Sequence, residues 1–157
     1  MTKKKIPYGV SNFEKIVNEN FYFVDKTKYL EVIENLNEQN LFFLRPRKFG
    51  KSLFISLLEY YYGIEHKDKF DTLFGEYYIG KNPTPKANSY YILRFDFSGI
   101  LTSTNENTLR EFSAKVIDGL VYFSDAYQLF DKSELDEILS QQSSNQMLLT
   151  FFRNFNS

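Results

Sequence analysis

The chain has 157 residues, of which 43% are hydrophobic and 25% are charged, a composition that is ordinary for one soluble globular domain. Its formal net charge of −1 gives no overall attraction to nucleic acid or to a membrane, so any basic site must be local. The absence of cysteine excludes disulfides and thiolate metal sites. The start, MTKKKIPYG, lacks the apolar run of a secretory signal, and no stretch approaches the roughly 20 apolar residues that cross a bilayer. We therefore expect a cytoplasmic protein.

Two short helices are predicted in the first third of the chain. Ser11, with Glu14 three residues later, is typical of a capping box that opens the first helix. Asp25 is a suitable cap for the second helix. The inward face of that second helix is predicted to carry Tyr29, Leu30, Ile33 and Leu36.

A strand and a basic loop follow. The continuous apolar run Leu41 to Leu44 predicts a strand that is buried on both faces of a parallel sheet. It leads into RPRKFGKS, residues 45–52, where Gly50, Lys51 and Ser52 supply the last three positions of the phosphate-loop pattern G-x-x-x-x-G-K-[ST]. Arg45 stands where that pattern has its first glycine. Helical periodicity then returns and Gly63 is predicted to end the helix.

The rest of the chain completes the predicted order of elements. Residues 64–88 predict an irregular crossover with one short helix near Phe70 to Phe74, and Tyr90 to Phe97 predicts a second strand. A long helix is predicted from Thr104, with Leu109, Phe112, Val116, Ile117 and Leu120 inward. Capping signals at Ser133 with Asp136, and at Ser143 with Gln146, predict two further helices. Together this order predicts an α/β fold with a parallel sheet core flanked by helices.

The basic loop has two interpretations, a nucleotide site with an altered entrance and a solvated basic turn. A phosphate loop needs converging backbone N–H groups, a helix that begins there, a lysine for the phosphates and a hydroxyl for magnesium. The sequence meets these needs except for the first glycine, and arginine side chains suit phosphate geometry. The predicted nucleotide-binding residues are Arg45, Pro46, Arg47, Lys48, Phe49, Gly50, Lys51, Ser52 and Leu53. Ser52 is also the predicted magnesium ligand, so the expected cofactors are ATP and Mg²⁺.

Three segments in order resemble the bacterial AAA-ATPase-like proteins. They are VDKT (Val24 to Thr27), RPRKFGKS, and RFDFSG (Arg94 to Gly99), and the lead IPYGVSNFEKI is similar to the family's opening. The typical loop of that family reads Arg-Pro-Arg-Arg-Phe-Gly-Lys-Ser, so the absent first glycine is a family trait and Lys48 is a mild departure. The resemblance covers nearly the whole chain. It implies a P-loop NTPase domain, often followed by a nuclease-like domain of the PD-(D/E)XK type.

The resemblance also implies parts that this sequence lacks. The family carries an acidic Walker B strand, and no apolar run ending in Asp-Glu follows Gly99. We therefore expect residues 1–157 to be the N-terminal part of such a domain, truncated before that strand. The absent nuclease-like domain would be one route to a nucleic-acid partner. Asp96 is the one candidate for the metal-site acid, although a role in ordering the turn with Ser98 is favoured. Uncovered apolar faces would then lead to self-association.

Alternatives remain open at this stage. The loop would also serve a pseudo-ATPase or a module that binds polynucleotide phosphates, and a third option is a scaffold that completes the fold of a partner. Tyr8, Phe13 and Asp25 are either contributors to a base pocket, as the resemblance implies, or packing residues. His66 is the sole histidine and lies in a charged segment, so a metal site or catalytic triad built on it is not expected.

Overall fold

The structure, a computed structural model, describes residues 4–156, which divide into two compact units on either side of the Tyr91–Ile92 bond. In the first unit lie α1 (Phe13–Asn18), α2 (Tyr29–Leu36), α3 (Lys51–Tyr62), a 3-10 helix (Ile64–Lys69), α4 (Phe70–Phe74) and α5 (Tyr78–Lys81). The second unit contains α6 (Asn105–Tyr127), α7 (Lys132–Leu139) and α8 (Ser144–Phe155).

The predicted α/β fold is wrong for the described part of the chain. No strand and no sheet form among residues 4–156, where the only β-type pairings are two isolated parallel bridges, Lys5 with Phe21 and Gly63 with Tyr90. A parallel sheet core flanked by helices is therefore absent from these residues, and the architecture is helical.

The two predicted strands fail for the same physical reason. A strand requires a neighbour that satisfies its backbone N–H and C=O groups, and apolar sequence alone does not supply one. Leu41 to Leu44 carry no helix or strand assignment, and the side chains of Phe42 and Leu44 are 90% and 81% exposed rather than buried on two faces. Tyr90 to Phe97 hold one bridge residue, Tyr90, and otherwise lack a ladder.

Aromatic side chains form the core of the first unit. Phe13 of α1, Tyr61 of α3 and Phe74 of α4 are fully buried. The ring of Phe74 stacks on that of Phe13 at 5.1 Å and meets that of Tyr61 edge-on at 5.5 Å between centroids. Such pairs stabilise beyond their buried area by about 0.5–1.5 kcal/mol each. This cluster fixes α3, and with it the start of that helix at Lys51.

The second unit packs its three helices around one apolar cluster. The buried members of this cluster are Val116, Leu120, Phe123, Ile138, Met147 and Phe151. Gly119 of α6 lies against the segment before the helix, where a Cβ would come within 2.5 Å of the Phe95 ring. The first turn of α6 differs from the prediction, because Leu109 is 67% exposed, whereas the ring of Phe112 stacks on that of Phe97.

Helix starts follow the predicted chemistry with two shifts and one failure, since Lys28 and not Asp25 is the N-cap of α2. Thr104 and Ser143 cap α6 and α8 as predicted, and Gly63 follows the last residue of α3. The first helix is instead capped by Asn12, whose side chain accepts a hydrogen bond from the N–H of Lys15. The box that opens α7 is formed by Asp131 and Glu134 rather than by Ser133 and Asp136. In both shifts a neighbouring Asn or Asp provides the capping oxygen.

Candidate functional site

The basic loop turns twice through left-handed backbone conformations before α3 begins. The φ angles of Lys48 and Gly50 are +67° and +76°, whereas Arg47 and Phe49 are not in that region. In proteins generally, successive N–H groups in turn conformations of this kind form concavities that bind anions. Gly50 is the N-cap of α3 and offers no side-chain cap, so the first-turn N–H groups stay available to a ligand.

Lys51 closes the loop on itself. Its ammonium Nζ donates hydrogen bonds to the carbonyl oxygens of Arg45 at 2.6 Å and Pro46 at 3.0 Å. The guanidinium Nη1 of Arg45 donates to the carbonyl oxygen of Leu44 at 3.1 Å. The loop lysine is thus held by neutral acceptors, which an anionic oxygen would outcompete because charge-assisted hydrogen bonds are roughly twice as strong.

Positive charge in the loop is not neutralised by carboxylates. Arg45, Arg47, Lys48 and Lys51 fall within seven residues. Within residues 4–156, none of these four side chains forms an ion pair. Four cations at such spacing repel one another, so an anion placed among them would lower the electrostatic energy of the loop.

A cavity of about 620 Å³ adjoins the loop. Its size lies in the range of pockets that hold small ligands and cofactors. Most of its wall is apolar, with Tyr22, Tyr29 and Phe54 among the aromatic contributors. The predicted loop residues that line it are Arg45, Phe49, Gly50, Lys51 and Leu53. The arrangement therefore places a cationic, N–H-rich edge next to an apolar chamber.

The remaining predicted loop residues lie outside this lining. They are Pro46, Arg47, Lys48 and Ser52. Pro46 still contributes its carbonyl oxygen to Lys51, and Ser52 is exposed on the first turn of α3. Arg47 and Lys48 are exposed as well, and neither side chain contributes to the cavity wall.

The sequence profile of the AAA-ATPase-like family, described as a predicted AAA-ATPase, matches residues 7–157. The chain belongs to this family. That match contains the loop and every cavity-lining residue except Ile6. It does not extend to the nuclease-like domain that the sequence resemblance implies.

The chain is also similar to part of one curated protein. The chain is 45% identical over 60 residues to a protein of Azotobacter chroococcum mcd 1 described as "Uncharacterized protein in vnfD 5'region". The aligned part is 37% of this chain and 11% of the relative, so the chain spans about a tenth of that protein's length. No solved structure matches the chain.

The VDKT segment of this AAA-ATPase-like chain anchors α5 rather than capping α2. The carboxylate of Asp25 accepts hydrogen bonds from the N–H and hydroxyl of Thr27 at 2.9 and 2.7 Å, and from the N–H of Tyr78 at 2.8 Å. The buried hydroxyl of Thr27 accepts from the N–H of Ile79 at 3.1 Å. Burial alone would raise the pKa of Asp25, but the hydrogen bonds from Thr27 and Tyr78 outweigh it and the pKa lies below its ordinary value.

The three candidates for a base pocket lie outside the cavity lining. Asp25 is engaged by α5, Phe13 is fully buried in the core, and Tyr8 is 90% exposed. Residues that the sequence reasoning missed form the apolar wall instead, and they come from the stretch Tyr22 to Lys26 and from one face of α2. The sequence of α2 contained a signal for this wall. The helix carries several apolar residues besides Leu30, and Leu30 is its one buried residue.

Glu34 holds the α2 wall in place against α3. One oxygen of its carboxylate, Oε1, accepts hydrogen bonds from the Tyr62 hydroxyl at 2.9 Å and the Thr84 hydroxyl at 2.7 Å. Burial and this hydrogen bond to Glu34 raise the pKa of Tyr62 far above its ordinary value. The hydroxyl therefore stays protonated and acts as the hydrogen-bond donor to Glu34. The cavity wall is therefore fixed by polar contacts on the side of α2 that faces away from it.

Two acidic or titratable candidates have structural partners. The carboxylate of Asp96 accepts from the N–H of Ser98 at 2.9 Å, and hydrogen bonds to Ser98 lower its pKa. Gly99 then takes a φ of +77°, which completes a turn. The His66 ring packs at a tilt against the Tyr60 ring, with 4.3 Å between the ring centroids. Among residues 4–156 no group of three or more His, Cys, Asp or Glu side chains is arranged to hold a metal ion.

None of the helices within residues 4–156 combines the length and the apolar character that a membrane span requires.

Proposed function

We propose that this chain binds ATP, with the phosphates at the start of α3 and the nucleoside in the apolar chamber. The observation that carries the proposal is the shared lining of one cavity by Arg45, Gly50 and Lys51 together with apolar side chains. A nucleotide has the same division into a polyanionic end and a flat, weakly polar end. Membership of the AAA-ATPase-like family supports this assignment.

Each part of the loop has a separate task in this proposal. The N–H groups around Gly50 donate to phosphate oxygens, and the dipole of the twelve-residue α3 favours negative charge at its start. Lys51 exchanges its two carbonyl partners for phosphate oxygens. Arg45 supplies a guanidinium fork in place of the flexibility that glycine gives to other loops.

In this proposal the Ser52 hydroxyl is the one protein ligand of magnesium. The Ser52 hydroxyl is exposed beside Lys51, and Mg²⁺ commonly takes its remaining ligands from phosphates and water. When bound, the ion would neutralise phosphate charge. Hydrolysis further requires a group that positions water and an acidic partner for the metal. No acidic residue lines the cavity among the described residues, so its residues account for binding and not for turnover.

Calorimetric titration with Mg-ATP tests the proposal. We expect Lys51→Ala to weaken binding roughly 10- to 150-fold, because a charge-assisted contact contributes about 1.5–3 kcal/mol. Lys86→Ala is the control, since Lys86 is equally cationic, exposed and outside the cavity lining. Circular dichroism would establish that both variants keep the wild-type helix content. Equal affinities of wild type and Lys51→Ala would contradict the assignment.

Arg47 and Lys48 favour a second candidate, the binding of polynucleotide phosphates. These two cations are exposed and outside the cavity lining, so an ATP-sized ligand in the cavity does not engage them through that wall. A salt titration separates the candidates, because affinity for a polynucleotide falls steeply with salt in proportion to its phosphate contacts. Binding of single-stranded DNA that depends on Arg47 and survives Lys51→Ala would favour the second candidate.

A further inference from the structure

The cavity contains a third cation that lies outside the basic loop. Lys26 lines it together with Arg45 and Lys51, and no aspartate or glutamate lines it among the described residues. Arg45 and Lys51 have carbonyl partners. Within residues 4–156, Lys26 forms no hydrogen bond through its side chain and no ion pair. Lys26 is exposed, so its ammonium needs no protein partner, but it loses part of its water when a ligand fills the largely apolar chamber that it lines.

The backbone on both sides of Lys26 is fixed. Asp25 accepts hydrogen bonds from Thr27 and from the N–H of Tyr78, and Thr27 is fully buried with its hydroxyl bonded to Ile79. The flexible part of Lys26 is therefore its side chain alone. A cation on a fixed segment loses less conformational entropy on binding than one on a mobile loop.

We propose that Lys26 binds the phosphate chain of the nucleotide. It precedes the basic loop in the sequence but lines the same cavity. The inference rests on the proposed function. Adenosine has no negative charge, so the phosphates are the part of ATP that matches a third ammonium group. Three cations without a carboxylate then select a ligand with several anionic oxygens, which is a nucleoside triphosphate in preference to an uncharged nucleoside.

Lys28 provides a matched control two residues further along. It has the same side chain, and its ammonium lies 5.8 Å from the centroid of the Tyr78 ring, outside the cavity lining. The experiment compares Lys26→Gln with Lys28→Gln in titrations with ATP, inorganic tripolyphosphate and adenosine. Tripolyphosphate isolates the contribution of the phosphates and adenosine that of the nucleoside.

We expect Lys26→Gln to weaken ATP and tripolyphosphate by roughly three- to tenfold, between the effect of a solvated surface pair and that of a desolvated charged contact. Adenosine affinity should stay unchanged, as should all affinities of Lys28→Gln. Lys26→Arg keeps the charge and should bind ATP within about twofold of wild type. If Lys26→Gln does not fold, acetylation of Lys26 in the folded wild type replaces the substitution. Acetylated Lys26 should then bind tripolyphosphate more weakly than the protein acetylated at Lys28.

The outcomes separate this inference from the function on which it rests. Equal effects of Lys26→Gln and Lys28→Gln, in a wild type whose ATP binding depends on Lys51, would overturn the role of Lys26 alone. Loss of adenosine binding in Lys26→Gln would also overturn it, since Lys26 would then act on the nucleoside. A wild type that binds neither ATP nor tripolyphosphate would overturn the proposed function itself.

Discussion

At the residue scale, the proposed binding of an anion has its clearest local consequence at Lys51. Its ammonium is held by the carbonyl oxygens of Arg45 and Pro46, so binding exchanges two neutral acceptors for charged ones. The gain is the difference between those interactions and not the full strength of an ion pair. Arg45 and Pro46 are exposed residues, so we expect water to satisfy their carbonyl groups after the exchange.

Arg45 tests whether a side chain has replaced the first glycine of the usual pattern. We expect Arg45→Gly, which restores that pattern, to weaken ATP binding by about 1–2 kcal/mol, or roughly 5- to 30-fold, because the guanidinium lost from the cavity lining contributes more than the flexibility gained. Titration calorimetry gives the comparison. Arg47→Gly introduces the same flexibility outside the lining and should have a smaller effect. Tighter binding by Arg45→Gly would show that the arginine does not contact the ligand.

At the scale of elements, the VDKT segment connects the region before α2 to the start of α5. Asp25 and Thr27 accept hydrogen bonds from the first two N–H groups of α5, those of Tyr78 and Ile79. A four-residue helix has too few internal hydrogen bonds to be stable alone. Its position therefore depends on these tertiary contacts, and the same contacts fix the backbone beside Lys26.

Removing the Thr27 hydroxyl should uncouple these elements. We expect Thr27→Val to lower the free energy of unfolding by about 1–3 kcal/mol, because the buried N–H of Ile79 is left without an acceptor while the side-chain volume is kept. Urea denaturation measures the change. Thr72→Val, at an exposed position of α4, is the control, and Thr27→Ser should retain most of the stability. A Thr27→Val protein as stable as wild type would show that water replaces the hydroxyl.

The pH dependence of stability should report the same contact. Since the folded-state pKa of Asp25 is depressed, its contribution is present above the unfolded-state pKa of about 3.9 and is lost as pH falls through the folded-state value. The Thr27 hydroxyl is one cause of this depression. Thr27→Val should therefore lose less stability than wild type as the pH falls below about 4, which acid titration at fixed urea would show.

At the scale of the whole molecule, the described residues expose many large apolar side chains. Ile6, Tyr8, Phe42 and Leu44 are each more than 80% exposed. Two of them lie in the segment that was predicted to be a buried strand. Exposed apolar area of this kind favours association, although the absence of a sheet means that it does not come from an open sheet edge.

We expect the chain to self-associate in a concentration-dependent manner. Light scattering should give a mass above the 18.6 kDa of one chain at high concentration. Leu44→Ser should reduce association because it removes an apolar side chain that is 81% exposed, whereas Asn40→Ser should leave it unchanged. A constant mass of one chain across the concentration range would contradict this expectation.

ATP should reduce that association and stabilise the folded chain. Phe42 lines the cavity, so a ligand there covers part of the exposed apolar surface. A ligand present at 100 times its dissociation constant stabilises the folded state by about 2.7 kcal/mol. Thermal unfolding with and without Mg-ATP measures this contribution, and Lys51→Ala should lose it.

Several helix ends were predictable from the sequence because they depend on interactions between residues close together in the chain. The starts of α6 and α8 and the end of α3 depend on caps within a few residues, and these positions are confirmed. The turn at Gly50 also has a local signal, because glycine adopts a positive φ without strain and the φ of Gly50 is +76°. Such interactions lie within about four residues of each other, so periodicity and residue type reveal them.

Long-range partners were decided only by the tertiary structure. The run Leu41 to Leu44 has the composition of a buried strand, but composition does not name the neighbour that a strand must bond, and no described residue provides one. Likewise, nothing local indicates that Asp25 bonds to Tyr78, 53 residues away, or that Lys26 and Lys51 line one cavity. These contacts form when the apolar core brings distant segments together. The loop can therefore be recognised in the sequence, but its neighbours in space cannot.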